Sequence, residues 1–234
     1  MDSNIIRLLS EEPVRNMAVL GFFKNYPLAR SVQFGDSLVL LGESDHLWGY
    51  VSSQSECELT RLFEEPVGTK FFASVEEWMK PVIAKNFEVE WELSTDRYLL
   101  PANHPIDPPP RMTCTLEVPF AEYIFDHSDY KAFTSVEYLR DRIARGISAG
   151  VIENGTLAAW ALTHDDNSLG CLHVLPEFRR KGFAKAIMGS LIIQKRKAGE
   201  PVFLNVEPSN ISSRNLVTGM GFVLDRKISW IKLK

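Results

Sequence analysis

The order of apolar patterns in this sequence predicts an α/β protein of the α+β kind, and three observations carry that reading. Runs of strand length recur at 37–41, 46–51, 87–93, 147–152, 156–163, 168–175, 202–206 and 228–233. Stretches of helical period stand between them, most clearly at 135–145 and from 183 to about 197. Asn154-Gly155 lies between two of the strand runs with the chemistry of a type I′ hairpin turn.

Each element has its own signals. Residues 1–25 read as helical, with Pro13 placed to open a second helix whose apolar face is Val14, Met17, Ala18, Leu20 and Phe22. A turn at Gly35-Asp36 leads into the strand at 37–41, and the run at 46–51 is its hairpin partner. Helices are expected over 55–64 and 75–84, the second with Ser74 as N-cap. Residues 87–93 alternate apolar and acidic side chains, as a half-buried strand does, and 98–100 is a short partner for them. Five prolines between Pro101 and Pro110 can continue neither a helix nor a central strand. Residues 101–110 therefore read as a stiff linker between a domain at 1–100 and a second at 111–234. The second domain opens with a strand at 113–118, a short helix at 120–126 and a strong helix at 135–145, which Ser135 or Thr134 can cap and Gly146 ends. The hairpin at 147–163, the strand at 168–175, a long helix, the strand at 202–206 and a helix within 208–220 follow. Two closing strands, 222–224 and 228–233, pair with each other.

Composition narrows the function classes. The chain of 234 residues is 45% hydrophobic and 24% charged, as ordinary soluble globular proteins are. A formal charge of −4 speaks against a broad nucleic-acid surface, so no nucleic-acid partner is expected. Cys57, Cys114 and Cys171 are widely spaced and form no C-x-x-C pair, which indicates neither a disulfide framework nor a metal site. Reduced thiols, the absence of a signal-peptide pattern and the lack of an apolar run near the ~20 residues of a membrane span lead to the expectation of a cytoplasmic protein with no membrane partner.

The most informative stretch runs from Val174 to Ala184. It reads as a strand end, a tight turn and a helix start. Such a turn presents unpaired N–H groups at a helix N-terminus, where the dipole also favours an anion. Gly182 and the small Ala184 let the backbone approach a pyrophosphate, and Arg179, Arg180 and Lys181 add positive charge.

A second block makes the reading specific. Val174-x-Pro176-x-x-Arg179-x-x-Gly182-x-Ala184 is followed, one strand later, by Asn210-x-x-Ser213-x-x-Leu216 and Gly221-Phe222. Both blocks resemble those of the GNAT superfamily of acyl-CoA-dependent N-acyltransferases over residues 147–233. The Leu175-Pro-Glu-Phe-Arg179 run and the Trp230-containing last strand are most like the glycine N-acyltransferase-like branch. The resemblance implies a mixed, mostly antiparallel sheet with splayed central strands. Residues 1–110 carry no such motif; by the same resemblance they are either a degenerate GNAT-like half or a substrate-side cover.

The resemblance also implies the site. Acetyl-CoA, or another acyl-CoA, is the co-substrate, held by Leu172, His173, Val174, Leu175, the turn from Arg179 through Arg180, Lys181, Gly182 and Phe183 to Ala184, and Asn210 and Ser213. The pantetheine pairs with Val174 like an added strand, and the Leu175 backbone N–H stabilises the oxyanion. Asn210 also suits a plain helix N-cap. His127 and Tyr130, in a polar-aromatic loop, and Asn205 are candidate contacts for the acceptor. Val217 stands where many members place a tyrosine acid, and Ser168 near where some place a glutamate base. Asp165, Asp166, Glu207 and His173 are the alternatives for the base, Asp166 and Glu207 ranked first because both sit at strand ends. The expected activity is acyl transfer to a primary amine of a small molecule or amino acid by direct attack. A protein acceptor, and an inactive coenzyme-binding sensor or interaction module, are the alternatives.

Overall fold

Eight α-helices and ten strands make up the chain. In order they are α1 (Ser3–Glu11), α2 (Met17–Asn25), β1 (Arg30–Phe34), β2 (Ser37–Glu43), β3 (Leu47–Ser52), α3 (Glu56–Leu62), β4 (Phe71–Glu76), α4 (Lys80–Ile83), β5 (Val89–Leu100), α5 (Phe120–Asp126), α6 (Val136–Arg145), β6 (Ser148–Glu153), β7 (Thr156–Thr163), β8 (Leu169–Val174), α7 (Phe183–Lys197), β9 (Val202–Val206), α8 (Ile211–Gly219) and β10 (Val223–Leu233). The structure is a computed structural model that describes all residues from Met1 to Lys234. The chain forms two units, Met1–Arg97 with Asp225–Lys234, and Tyr98–Leu224. The fold is mixed α/β and mostly antiparallel, and the order of elements from α1 to β5 recurs from α5 to β10.

In the first unit, β1, β2 and β3 form an antiparallel meander, β3 and β4 are parallel, and β10 is antiparallel to β4. Several elements differ here from their sequence signals. The stretch expected as a helix at 75–84 is instead the end of β4 followed by a short turn and the four-residue α4. Ser74 is not a cap but a buried strand residue with φ of 57°. Pairing with β3 on one side and β10 on the other overrides the local preference of this stretch. Pro13 lies in a turn, and α2 begins only at Met17. Buried Asn16 fixes that turn, donating to Leu9 O at 3.0 Å and accepting from Ser52 Oγ at 2.8 Å. The runs at 87–93 and 98–100 belong to the single strand β5, and the two expected closing strands are the single strand β10.

The second unit has strand order β9-β8-β7-β6. Its hairpin, its long helix and the strand at 202–206 follow the sequence signals closely. Helix α7 buries Phe183, Ile187, Met188, Leu191 and Ile192 against Ala149, Ala159, Leu204 and Val206 of the sheet. On the other face, Ile124 of α5 and Leu139 and Ile143 of α6 pack on Trp160, Leu162 and Leu175. Ser135 caps α6 by accepting from Tyr138 N at 3.0 Å. The expected strand at 113–118 is reduced to one bridge, Cys114 to Gly150. Residues 101–110 lie on this unit: Ile106 packs on its core, and Pro101 O accepts from Arg196 Nη2 at 2.9 Å.

Candidate active site

Strands β8 and β9 create the opening on which the site depends. They run parallel, yet only Leu169 and Leu204 stand in register, so they diverge towards their C-terminal ends. Strand β8 is about 17 Å long from Leu169 to Val174 at ~3.3 Å per residue, and most of that length has no ladder partner on the β9 side. A bulge contributes: Cys171 and Leu172 stand opposite Ala161 alone, and Cys171 takes a φ of 51°. The Leu175 N–H turns to β7 and donates to Ala158 O at 3.0 Å. By the alternation of a strand, the Val174 N–H and C=O then face the open side. Arg179 Nε donates to Val174 O there at 3.0 Å.

At the end of β8 the chain turns sharply into α7. Arg180 and Gly182 both take left-handed conformations, with φ of 56° and 82°. No side chain caps the helix. A Cβ at Gly182 would meet nothing closer than Pro110 Cγ at 4.0 Å, so the glycine is required by its φ and not by crowding. The turn is open and exposed, and its N–H groups sit at the positive end of a 15-residue helix. These are the features a pyrophosphate needs. Arg111 adds a cation there: its Nε donates to Lys181 O at 3.2 Å, and its guanidinium lies 4.4 Å above the Phe183 ring. The Phe183 side chain is buried, so only its backbone is offered to a ligand.

A polar cluster borders the open side. The loop after α5 places two adjacent residues on the two diverging strands. Asp129 Oδ2 lies 3.7 Å from His173 Nδ1 on β8. Tyr130 lies near Glu207, just past β9, and near Asn210 at the start of α8. Asn210 Oδ1 accepts from Ser213 N at 3.0 Å and so caps α8. Asn210 thus combines capping with a place in the cluster. Burial, with Glu207 and Asp129 adding negative charge, raises the Tyr130 phenol above its ordinary value, while Asn210 opposes the shift. His173 stacks on Trp160 at 4.8 Å, and burial lowers its pKa, with Arg179 and His127 acting in the same sense and Asp129 against it. The His127 ring packs at a tilt against Tyr123, 4.2 Å between centroids, and its ring nitrogen meets Tyr123 O at 2.8 Å. Asn205 occupies the same face of β9 as Glu207 by alternation, and its amide atoms are buried with no hydrogen-bond partner.

Residues 145–231 match the family model described as FR47-like protein. The [ribosomal protein bS18]-alanine N-acetyltransferase of Escherichia coli K12 is 26% identical over 112 residues, 46% of this chain and 76% of the relative. Over 95% of the chain the fold matches a GCN5-related N-acetyltransferase from Kribbella flavida, covering 98% of it at TM-score 0.62 and 12% identity. The chain shares the fold of these acetyltransferases, and residues 145–231 are similar to the FR47-like family. The acetyltransferase from GNAT family of Colwellia psychrerythraea shares its fold at TM-score 0.54 and 14% identity, with 100% of this chain and 98% of that one covered. A Drosophila protein does so at TM-score 0.84 and 17% identity, with 100% and 97% covered.

Within this fold the two leading base candidates fall on opposite sides of the β8–β9 pairing point. Glu207 follows β9 on the diverging side. Asp166 precedes β8 on the closed side, almost wholly buried, with Oδ1 accepting from Ser168 N at 2.9 Å and Ser168 Oγ at 2.6 Å. That turn removes Asp166 from the opening, and it occupies Ser168 too. Leu175 also fails as an oxyanion donor, because its N–H is already given to Ala158. Val217 lies in the core between β9 and α7. Leu172 and Val174 pack towards that same core, and His173 faces the other way. Arg111, Asp129 and Trp160 had no spacing signal in the sequence; only the fold brings them to the site. In the first unit, the matching strands β3 and β4 stay in register over three pairs. There α3 is capped by Ser55 and carries Glu56 and Glu58 in its first turn, which repels an anion.

Proposed function

We propose that the chain is a GNAT-superfamily, acyl-CoA-dependent N-acyltransferase that moves an acetyl group to a primary amine by direct attack. The supporting observation is the divergence of β8 from β9 beside an uncapped helix start with two left-handed turn residues. Acetyl-CoA is the donor of this superfamily. Its pyrophosphate lies on the turn from Arg179 to Ala184, with Arg111 beside it. Its pantetheine lies along the free edge of β8 at Leu172 and Val174. The Val174 N–H, not that of Leu175, is the backbone donor for the oxyanion. Glu207, with or without an intervening water, takes the proton of the attacking amine. Asn205, His127, His173 and Tyr130 line the acceptor side.

The acceptor in this reading is a small amine or an amino acid, as in the glycine N-acyltransferase-like branch. A protein amine is the second reading, favoured by the Escherichia coli relative, whose name gives a ribosomal protein as its substrate. Release of free thiol from acetyl-CoA, followed over a panel of amines, amino acids and N-terminal alanine peptides, tests both. Turnover of the small amines alone supports the first reading, and turnover of the peptides alone supports the second. Tight binding of acetyl-CoA with no turnover of any of them contradicts catalysis and leaves a coenzyme-binding module.

A further inference from the structure

We propose that Arg179 selects the acyl donor: its side chain occupies the Val174 edge of β8, and a thioester that carries a pyrophosphate draws it away. Coenzyme A thioesters then gain the edge for their pantetheine, and pantetheine thioesters without the pyrophosphate are disfavoured. The proposal rests on the acyl-CoA reading above, with the pyrophosphate on the turn and the pantetheine along β8. It adds to that reading a specificity-determining residue that couples the two subsites.

Three observations support it. First, Arg179 Nε donates to Val174 O at 3.0 Å. The Leu175 N–H donates to Ala158 O, so Val174 O points away from β7, to the side where β9 has diverged. An added strand would place its amide nitrogen about 2.9–3.0 Å from such a carbonyl, so Nε stands where a pantetheine amide pairs. The guanidinium plane extends past Nε and takes up room that a neighbouring backbone, ~4.8 Å away, needs. Second, one side chain spans both subsites. Arg179 is exposed, its backbone belongs to the turn that carries the left-handed Arg180 and Gly182, and its side chain reaches back five residues to the strand. Third, the Arg179 charge rests on a neutral carbonyl and on no carboxylate. Arg111, the other guanidinium at the turn, already faces Glu153 at 3.6 Å. A phosphate offers Arg179 a bidentate ion pair instead, the arrangement guanidinium groups favour.

The exchange is one of hydrogen bonds alone. The pyrophosphate meets the uncapped start of α7, and Arg179 turns towards it. Val174 O is released, and a pantetheine N–H donates to it in place of Nε. A donor without the pyrophosphate must displace the guanidinium for one neutral amide bond, and it gives the displaced charge no new partner. Discrimination between donors therefore falls on the pantetheine edge as well as on the anion site.

The test titrates the full chain with acetyl-CoA and with acetyl-pantetheine, which share the thioester and both amides; the second lacks the pyrophosphate and the nucleotide. Wild type is compared with Arg179→Ala and with Arg179→Met, which keeps the stem and drops the donor. Arg179 is exposed, and melting curves check that both variants stay folded. The expected changes have opposite signs. Both variants bind acetyl-CoA about tenfold or more weakly, the loss of a hydrogen bond between charged groups. Both bind acetyl-pantetheine about 2–10-fold more tightly, because the Val174 carbonyl is no longer occupied. A residue that serves the pyrophosphate alone would weaken acetyl-CoA and leave acetyl-pantetheine unchanged. Acetyl-pantetheine bound no more tightly by either variant than by wild type overturns the proposal and leaves the acyl-CoA site standing. Failure of acetyl-CoA to bind wild type overturns the acyl-CoA reading and the proposal with it. Both readouts are of binding, so neither depends on the identity of the acceptor.

Discussion

Gly182→Ala probes the turn that opens α7, and its cost follows from the geometry. The residue has φ of 82°, where an L side chain is penalised by roughly 1–2 kcal/mol. The added Cβ meets only Pro110 Cγ at 4.0 Å, so no clash adds to that figure. If the turn keeps its shape, the whole cost falls on stability. At roughly 2–4 °C per kcal/mol for a chain of this size, the melting temperature drops by about 2–8 °C. If the turn relaxes, the cost falls on acetyl-CoA binding, and affinity drops about 5–30-fold. Melting curves and calorimetric titration of acetyl-CoA on the same samples measure both shares. Gly182→Asn, whose side chain tolerates the left-handed region, recovers part of the loss. Gly221→Ala is the contrast. Its φ is 90°, and its Cβ would fall 2.0 Å from His104 Nε2, so it costs more, and the cost is in stability. A Gly182→Ala protein with wild-type melting temperature and wild-type affinity would refute the reasoning.

Three further outcomes follow from the site. Asp166→Ala removes the acceptor for Ser168 and costs about 1–3 kcal/mol in denaturant unfolding, while the pH profile of turnover stays that of wild type; a changed profile would restore Asp166 as the base. His173 has its pKa lowered from the ordinary 6.5, so the unfolded chain takes up the proton first as pH falls. It contributes stability that is present above pH 6.5 and lost below it, and His173→Gln flattens that loss when unfolding is measured at pH 7 and pH 5. Arg111→Ala weakens acetyl-CoA binding by less than tenfold and makes it less sensitive to salt, since the guanidinium is partly exposed; an unchanged salt dependence in titrations would remove Arg111 from the site.

The second unit was legible in the sequence because its signals are local. The turn at Arg179 to Gly182, the Asn210 cap and the Asn154-Gly155 hairpin each fix a backbone shape over a few residues, and the strands between them keep their boundaries. The first unit was less legible where long-range pairing decides. Phe71 to Glu76 form a strand because β3 and β10 flank them, and β10 comes from the other end of the chain. The polar cluster divides in the same way. Glu207, Asn210 and Tyr130 were each visible as separate residues, and their proximity was not, since Tyr130 and Glu207 stand 77 positions apart in the chain. Asp166 misled because a strand end says nothing about which side of a splay it borders; the single register pair of Leu169 with Leu204 decides that. Leu175 misled for a related reason, since the bulge at Cys171 and Leu172 sets which N–H groups of β8 face β7.

The most direct measurement is a crystal structure of the full chain with acetyl-CoA bound. The predicted result places the pyrophosphate on the backbone N–H groups between Arg179 and Ala184, the pantetheine along β8 at Val174, and the thioester on the Glu207 side of the opening. Coenzyme density elsewhere on the chain, with β8 and β9 unchanged and the turn empty, would contradict the assignment of this opening as the acetyl-CoA site.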